Sequence, residues 1–186
     1  MNLNEIKSSI PDYAKDLRLN LDSVLAETGA PGLTQKQIGL VALACAIAAR
    51  HAPLVAAIGA EAAKHASAQE LDGARTAAAI MAMNNVYYRF THLVSDPEYQ
   101  TLRAGLRMNA MANPGCDKLD FELCSIAVSA INGCGQCMDS HEKTLKKHGV
   151  SVQAIQSAVR IAAVVHAVAV TLEQTASAIA ELAAAA

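Results

Sequence analysis

The chain has 186 residues and a formal net charge of −2 at pH 7, long enough to bury one sizeable core and too acidic for a nucleic-acid footprint. Hydrophobic residues make up 53%, much of it alanine, which favours closely approaching helices over burial of large side chains. With no Trp and 2 Phe, the core must rest on Leu, Ile, Val and Ala, and packing this thin predicts further burial by oligomerisation.

In chain order, Pro11 predicts an early helix position, followed by Tyr13, Leu17, Leu21, Val24 and Leu25 on roughly one face. Gly29-Ala-Pro-Gly32 ends that helix, and Thr34 caps the next, from Gln35 to about Arg50. Pro53 opens a helix to about His65, and Ser67-x-x-Glu70 is a capping box for a long helix to about Leu93. Asp96-Pro97 predicts a shorter helix running through Leu106, closed by Asn113-Pro-Gly115. Asp117 or Asp120 caps the next helix, which breaks at Asn132-Gly133. A further helix runs from about Cys134 to Gly149, and Ser151 begins the last. No segment alternates with period two, so the expected fold class is all-α, a single domain over 1–186. An echo at a separation of 85 residues, Gln37–Ala49 against Glu122–Cys134 and Arg75 against Arg160, suggests a doubled helical unit over about 35–90 and 120–175.

Chemistry concentrates between Glu122 and His141. Cys134-x-x-Cys137 and His141 fall at i, i+3 and i+7 of one predicted helix, so all three share a face. Only a thiolate is nucleophilic, and a free thiol near pKa ~8.5 is mostly protonated at neutral pH. A helix N-terminus favours the thiolate, and His141, one turn above Cys137, suits a general base. In an unbroken helix Glu122 would lie about 18 Å from Cys134. If the chain folds back at Asn132-Gly133, Glu122 and His141 can face each other across two antiparallel helices. A zinc site needs about four ligands and a second cluster is missing, and haem attachment would need His where Met138 stands. Redox chemistry is therefore the favoured reading, with no metal and no bound cofactor.

Five cysteines without a secretory leader point to a reducing, cytoplasmic setting. Cys134 and Cys137 are the pair expected to cycle, and Cys45, Cys116 and Cys124 the structural ones. The longest apolar runs, Ile38–Ala49 and Ile161–Val170, are too short to cross a bilayer. His166 reads as a core or interface histidine, and His51, His65, His92 and His148 as surface groups. Met81, Met83, Met108 and Met111 read as core packing, and Asn84, Asn85 and Arg89 as candidates for a subunit interface.

The pattern Glu-x11-Cys-x-x-Cys-x3-His resembles the alkyl hydroperoxide reductase AhpD family of the carboxymuconolactone decarboxylase-like group. So do Pro11-Asp-Tyr-Ala-Lys-Asp-Leu, Met83-Asn-Asn-Val-Tyr87, Leu106-Arg-Met-Asn and Ala112-Asn-Pro-Gly115. The resemblance implies a homotrimeric, antioxidant, lipoyl-dependent peroxidase acting on organic hydroperoxides. Cys134, Cys137, Glu122 and His141 would be catalytic. The electron donor would be a dihydrolipoyl group on a lipoylated acyltransferase protein, and the peroxiredoxin AhpC would be a second partner. Gln136 departs from the family, which often carries His before the second cysteine. Attack by Cys137 follows the resemblance and His141, whereas the helix dipole alone favours Cys134. Two other readings are a thiol–disulfide adaptor with little peroxidase activity and a carboxymuconolactone decarboxylase-type enzyme.

Overall fold

The computed structural model describes residues 1–184, with side chains through residue 176. Among these there are nine α-helices and no strand. They are α1 (Leu3–Ser8), α2 (Asp16–Val24), α3 (Gln35–Ala48), α4 (Ala52–Ala62), α5 (Ala68–Leu93), α6 (Glu98–Thr101), α7 (Lys118–Ile131), α8 (Gly135–Lys147) and α9 (Val152–Ala184).

Two helices are apolar nearly all round, the signature of a core position. In α3, Ile38 and Leu40 through Ala46 are buried, and in α7 every residue from Asp120 to Ser129 is buried. They pack against each other, and both also contact α5 and α9; α4 lies on α3 and α8 on α7. The helix starts recur: Gln35 to Lys118, Ala52 to Gly135 and Ala68 to Val152 are offsets of 83, 83 and 84 residues. The sequence echo at 85 therefore stands one or two residues out of the helical register. At offset 83, Gln37 corresponds to Asp120, and the two meet: Gln37 Nε2 donates to Asp120 Oδ1 at 2.9 Å.

The caps explain the boundaries. Thr34 and Ser67 each close a capping box, with Gln37 and Glu70 reaching back to the cap. Asp117, not Asp120, caps α7, accepting from the Leu119 and Asp120 amides. Asp120 instead sits buried against the Lys36 ammonium at 2.8 Å, and Lys36 also meets Glu70 at 2.9 Å. This triad ties the starts of α3, α5 and α7 together.

Several expectations are corrected. A first helix, α1, precedes Pro11, held by an Asn2/Glu5 capping box. Pro11 then precedes a 3₁₀ turn at Asp12–Ala14, so α2 starts only at Asp16, and Tyr13 is exposed. The helix expected from Pro97 through Leu106 stops at Thr101, because Leu102 is extended and Gly105 takes the left-handed φ of 64°. His51 is buried, not on the surface, and its Nδ1 caps α4 by accepting from the Leu54 amide. His166 is exposed on α9, outside the core, which leaves the interface half of its reading. The stretch Val152–Ala176 is 25 residues with mean hydropathy 1.7, long and apolar enough by length and composition to cross a membrane. Its most apolar window is 56% buried against the rest of the protein, as a core helix requires. The short run read from sequence, Ile161–Val170, is bounded by exposed Arg160 and buried Thr171, neither of which breaks the helix.

The Ser67 backbone amide, then Lys36 and the Ser67 hydroxyl, lower the Glu70 carboxyl from 4.5 to about 2. A depressed carboxyl pKa stabilises the fold above the unfolded value, and that contribution disappears as pH falls through the folded one. Denaturant unfolding from pH 7 to 2 should show Glu70→Gln less stable than wild type near neutrality, with a shallower loss on the acid side. Parallel curves would contradict this role for Glu70.

Candidate active site

The site is built by the turn that joins α7 to α8. Gly133, at φ 68°, occupies the left-handed position after the helix. The Cys134 amide donates to the Ser129 carbonyl at 3.1 Å and the Gly133 amide to the Ala130 carbonyl at 3.2 Å. These two bonds make a Schellman motif. Cys134 leaves it extended and becomes the N-cap of α8, its sulfur accepting from the Cys137 amide at 3.3 Å.

α5 braces this turn from the side. Asn85 Nδ2 donates to Ser129 Oγ and Asn85 Oδ1 accepts from Asn132 Nδ2, both at 2.9 Å. Arg89 Nη1 donates to the Asn132 carbonyl at 2.6 Å. Asn84 and Asn85 are buried within the chain and Arg89 is exposed, so the expected interface role gives way to internal ones for the two asparagines. Their signal is visible as three polar residues inside a long helix; the partners of Asn85 and Arg89, over forty positions along the chain, and that of Asn84, 27 positions along, are not.

The reversal brings Glu122 and His141 face to face. Glu122 Oε2 lies 2.6 Å from His141 Nδ1, with both residues buried. An Nδ1–H donating to the carboxyl leaves Nε2 as the free base. That nitrogen faces Met81 Sδ at 3.3 Å. A thioether only accepts, so this contact is a hydrogen bond when Nε2 carries a proton, and it supplies Nε2 with no donor when the proton is on Nδ1. The imidazole makes no hydrogen bond to either cysteine among the described residues, so the proton path from Cys137 to His141 expected from helical spacing is not a direct hydrogen bond in this disulfide state.

Cys134 and Cys137 are joined as a disulfide, with Cα atoms 5.3 Å apart. They are not equally reachable. Cys134 is 0% exposed and Cys137 is 6% exposed. A cavity of about 290 Å³ opens onto Cys137 and His141, walled by Met81, Met108, Met111 and Tyr88. Cys134 does not line it. Of the four methionines read as core, only Met81 is fully buried, and Met108 and Met111 are cavity wall. Gln136 and Ser140 complete the polar rim.

The remaining cysteines are free. Burial pushes the Cys45 and Cys124 thiols well up, and burial, then Asp120 and Asp117, pushes Cys116 up to about 11. All three are poor nucleophiles at neutral pH. No group of three or more His, Cys, Asp or Glu among the described residues could hold a metal ion.

Residues 97–182 match the Carboxymuconolactone decarboxylase family. Over nearly the whole chain the protein is similar to alkyl hydroperoxide reductases AhpD. That of Streptomyces griseus subsp. griseus is 57% identical over 173 residues, 93% of this chain and 96% of the relative. That of a Bradyrhizobium species is 56% identical over 176 residues, 95% of this chain and 96% of the relative. That of Brucella abortus is 52% identical over 174 residues, 93% and 97% of the two. With the site geometry and this extent of identity, the chain belongs to the alkyl hydroperoxide reductase AhpD family.

Proposed function

We propose that this chain reduces organic hydroperoxides to alcohols through Cys134 and Cys137. The observation that carries the reading is the asymmetry of the pair: Cys137 alone opens into the cavity shared with His141, whose ring is oriented by Glu122. It also supports Cys137 as the attacking thiol, on grounds independent of the helix dipole.

In the reduced protein the Cys137 proton passes to His141 Nε2, through an oxygen in the cavity where no direct contact exists. The Cys137 thiolate attacks the terminal oxygen of the hydroperoxide; the O–O bond breaks and the alkoxide leaves with the electron pair. A proton from Cys134 makes it an alcohol, and Cys137 becomes a sulfenic acid. Cys134 then displaces hydroxide from that sulfur, which leaves as water with the proton held on His141, and the disulfide of this structure is restored. Two thiols are oxidised and one peroxide reduced.

A dithiol must then reduce the disulfide. The family resemblance supports a dihydrolipoyl group on a lipoylated acyltransferase as donor, a supporting role for the peroxiredoxin AhpC, and a cytoplasmic homotrimer. Surface character is consistent with assembly: Val86, Phe90 and Leu93 form an exposed apolar stripe on α5, beside Tyr99 and Leu102. The same reading takes 1–186 as one domain built on a doubled three-helix unit, supported by the recurring helix starts. The decarboxylase reading has no need of the Cys134–Cys137 pair, and the adaptor reading accounts less well for a cavity of small-molecule size beside Cys137 and His141.

Two outcomes are expected. Light scattering at micromolar concentration should report three subunits; a stable monomer would contradict the assembly. Glu122→Gln and His141→Asn should fold yet each slow peroxide turnover by about 10²–10⁴-fold, the double variant losing little more than the worse single one. A folded His141→Asn with near-normal turnover and unchanged Cys137 alkylation would refute the relay.

A further inference from the structure

The cavity beside Cys137 holds a polar group that neither the fold nor the relay uses. Asn84 stands on α5 one turn after Met81 and is 4% exposed. It lines the same cavity as Cys137 and His141. Asn84 Nδ2 donates to Met111 Sδ at 3.6 Å, a weak bond, and Asn84 Oδ1 has no hydrogen-bond partner. A thioether only accepts, so the amide nitrogen must face Met111 and the oxygen is the orphan. Its neighbour Asn85 offers the contrast, both amide atoms being used to brace the α7–α8 turn. Buried polar atoms are nearly always paired in native folds, and an exception at a reactive cavity calls for a partner supplied from outside.

We propose that Asn84 Oδ1 accepts the O–H of the hydroperoxide and so orients its terminal oxygen toward Cys137. This rests on the peroxidase reading above. A hydroperoxide carries one proton, on the oxygen that the thiolate attacks. Held by Asn84, that oxygen keeps its proton as the O–O bond breaks and sulfur takes its place, so the same O–H belongs afterwards to the Cys137 sulfenic acid. The alkyl group is left against Met81, Met108 and Met111, flexible side chains that adapt to different shapes. Displacement of Met111 by that group uncovers the Asn84 amide. Asn84 is thus a substrate-orienting residue, distinct from the Glu122–His141 pair that handles the thiol proton.

The test separates orientation from packing. Reduced protein is mixed in single turnover with cumene hydroperoxide, and disulfide formation is timed. The same protein is oxidised in parallel by dithiodipyridine, which needs no O–H acceptor. In Asn84→Leu the orphan carbonyl is gone, so the melting temperature should hold or rise. Oxidation by dithiodipyridine should be unchanged, and oxidation by cumene hydroperoxide about tenfold slower. Asn84→Ala, with the same readouts, decides the matter should the leucine variant aggregate. A folded variant that keeps the wild-type rate with the hydroperoxide, or loses both rates equally, overturns the assignment. Wild-type protein that dithiodipyridine oxidises and the hydroperoxide does not would overturn the peroxidase reading itself, and Asn84's role with it.

Discussion

The left-handed turn at Gly133 is the constraint on which the rest of the site depends. Without it α7 and α8 would continue as one rod, and Glu122 would be carried far from the cysteines. Glycine takes this conformation at little cost, and the Schellman bonds satisfy the carbonyls that the end of α7 would otherwise leave open. The turn also hands its last residue, Cys134, to α8 as a cap, so one reversal ends a helix, starts another and positions a thiol. Asn85 and Arg89 on α5 add a brace from a third element. A buried pair held at 2.6 Å needs this rigidity.

The first half of the chain makes a similar left-handed turn with different chemistry, keeping the bond from the Arg50 amide to the Ile47 carbonyl. At offset 83, Arg50 stands where Gly133 does and takes φ 62°, a conformation that costs a side chain of order 1 kcal/mol. His51 stands where Cys134 does and caps its helix in the same way, by accepting from the amide three residues on. Leu54 and Ile58, both buried, then occupy the positions of Cys137 and His141. The backbone device is common to both halves, whereas the thiols and the base belong only to the second. The first half contributes packing: α3 and α7 lie against each other as the two most buried helices, joined at their starts through Lys36, Gln37 and Asp120.

Much of this was legible in the sequence because it is local. Thr34-x-x-Gln37, Ser67-x-x-Glu70 and Asn132-Gly133 carry their own boundary signals, and helical spacing alone put Cys137 and His141 on one face. Asn2-x-x-Glu5 carries the same kind of signal, for α1. The failures are of another kind. The helix expected after Pro97 ran through Gly105, a residue that takes the left-handed backbone at little cost, and ends earlier, at Thr101. His51 was assigned to the surface from its place at a helix end, but its ring caps that end from inside. Asn84 and Asn85 are adjacent in sequence and alike in type, yet one braces a turn and the other faces a cavity with its oxygen unpaired. Only the position of α7 and of the Met108–Met111 segment tells them apart.

The claim that Cys137 is the thiol presented to peroxide is tested most directly by trapping the first intermediate. With Cys134→Ser, one equivalent of hydroperoxide should leave a sulfenic acid on Cys137 that dimedone captures and peptide mapping locates. With Cys137→Ser, no comparable adduct should form on Cys134, which the cavity does not reach. A dimedone adduct on Cys134 forming as fast as that on Cys137 would contradict the assignment.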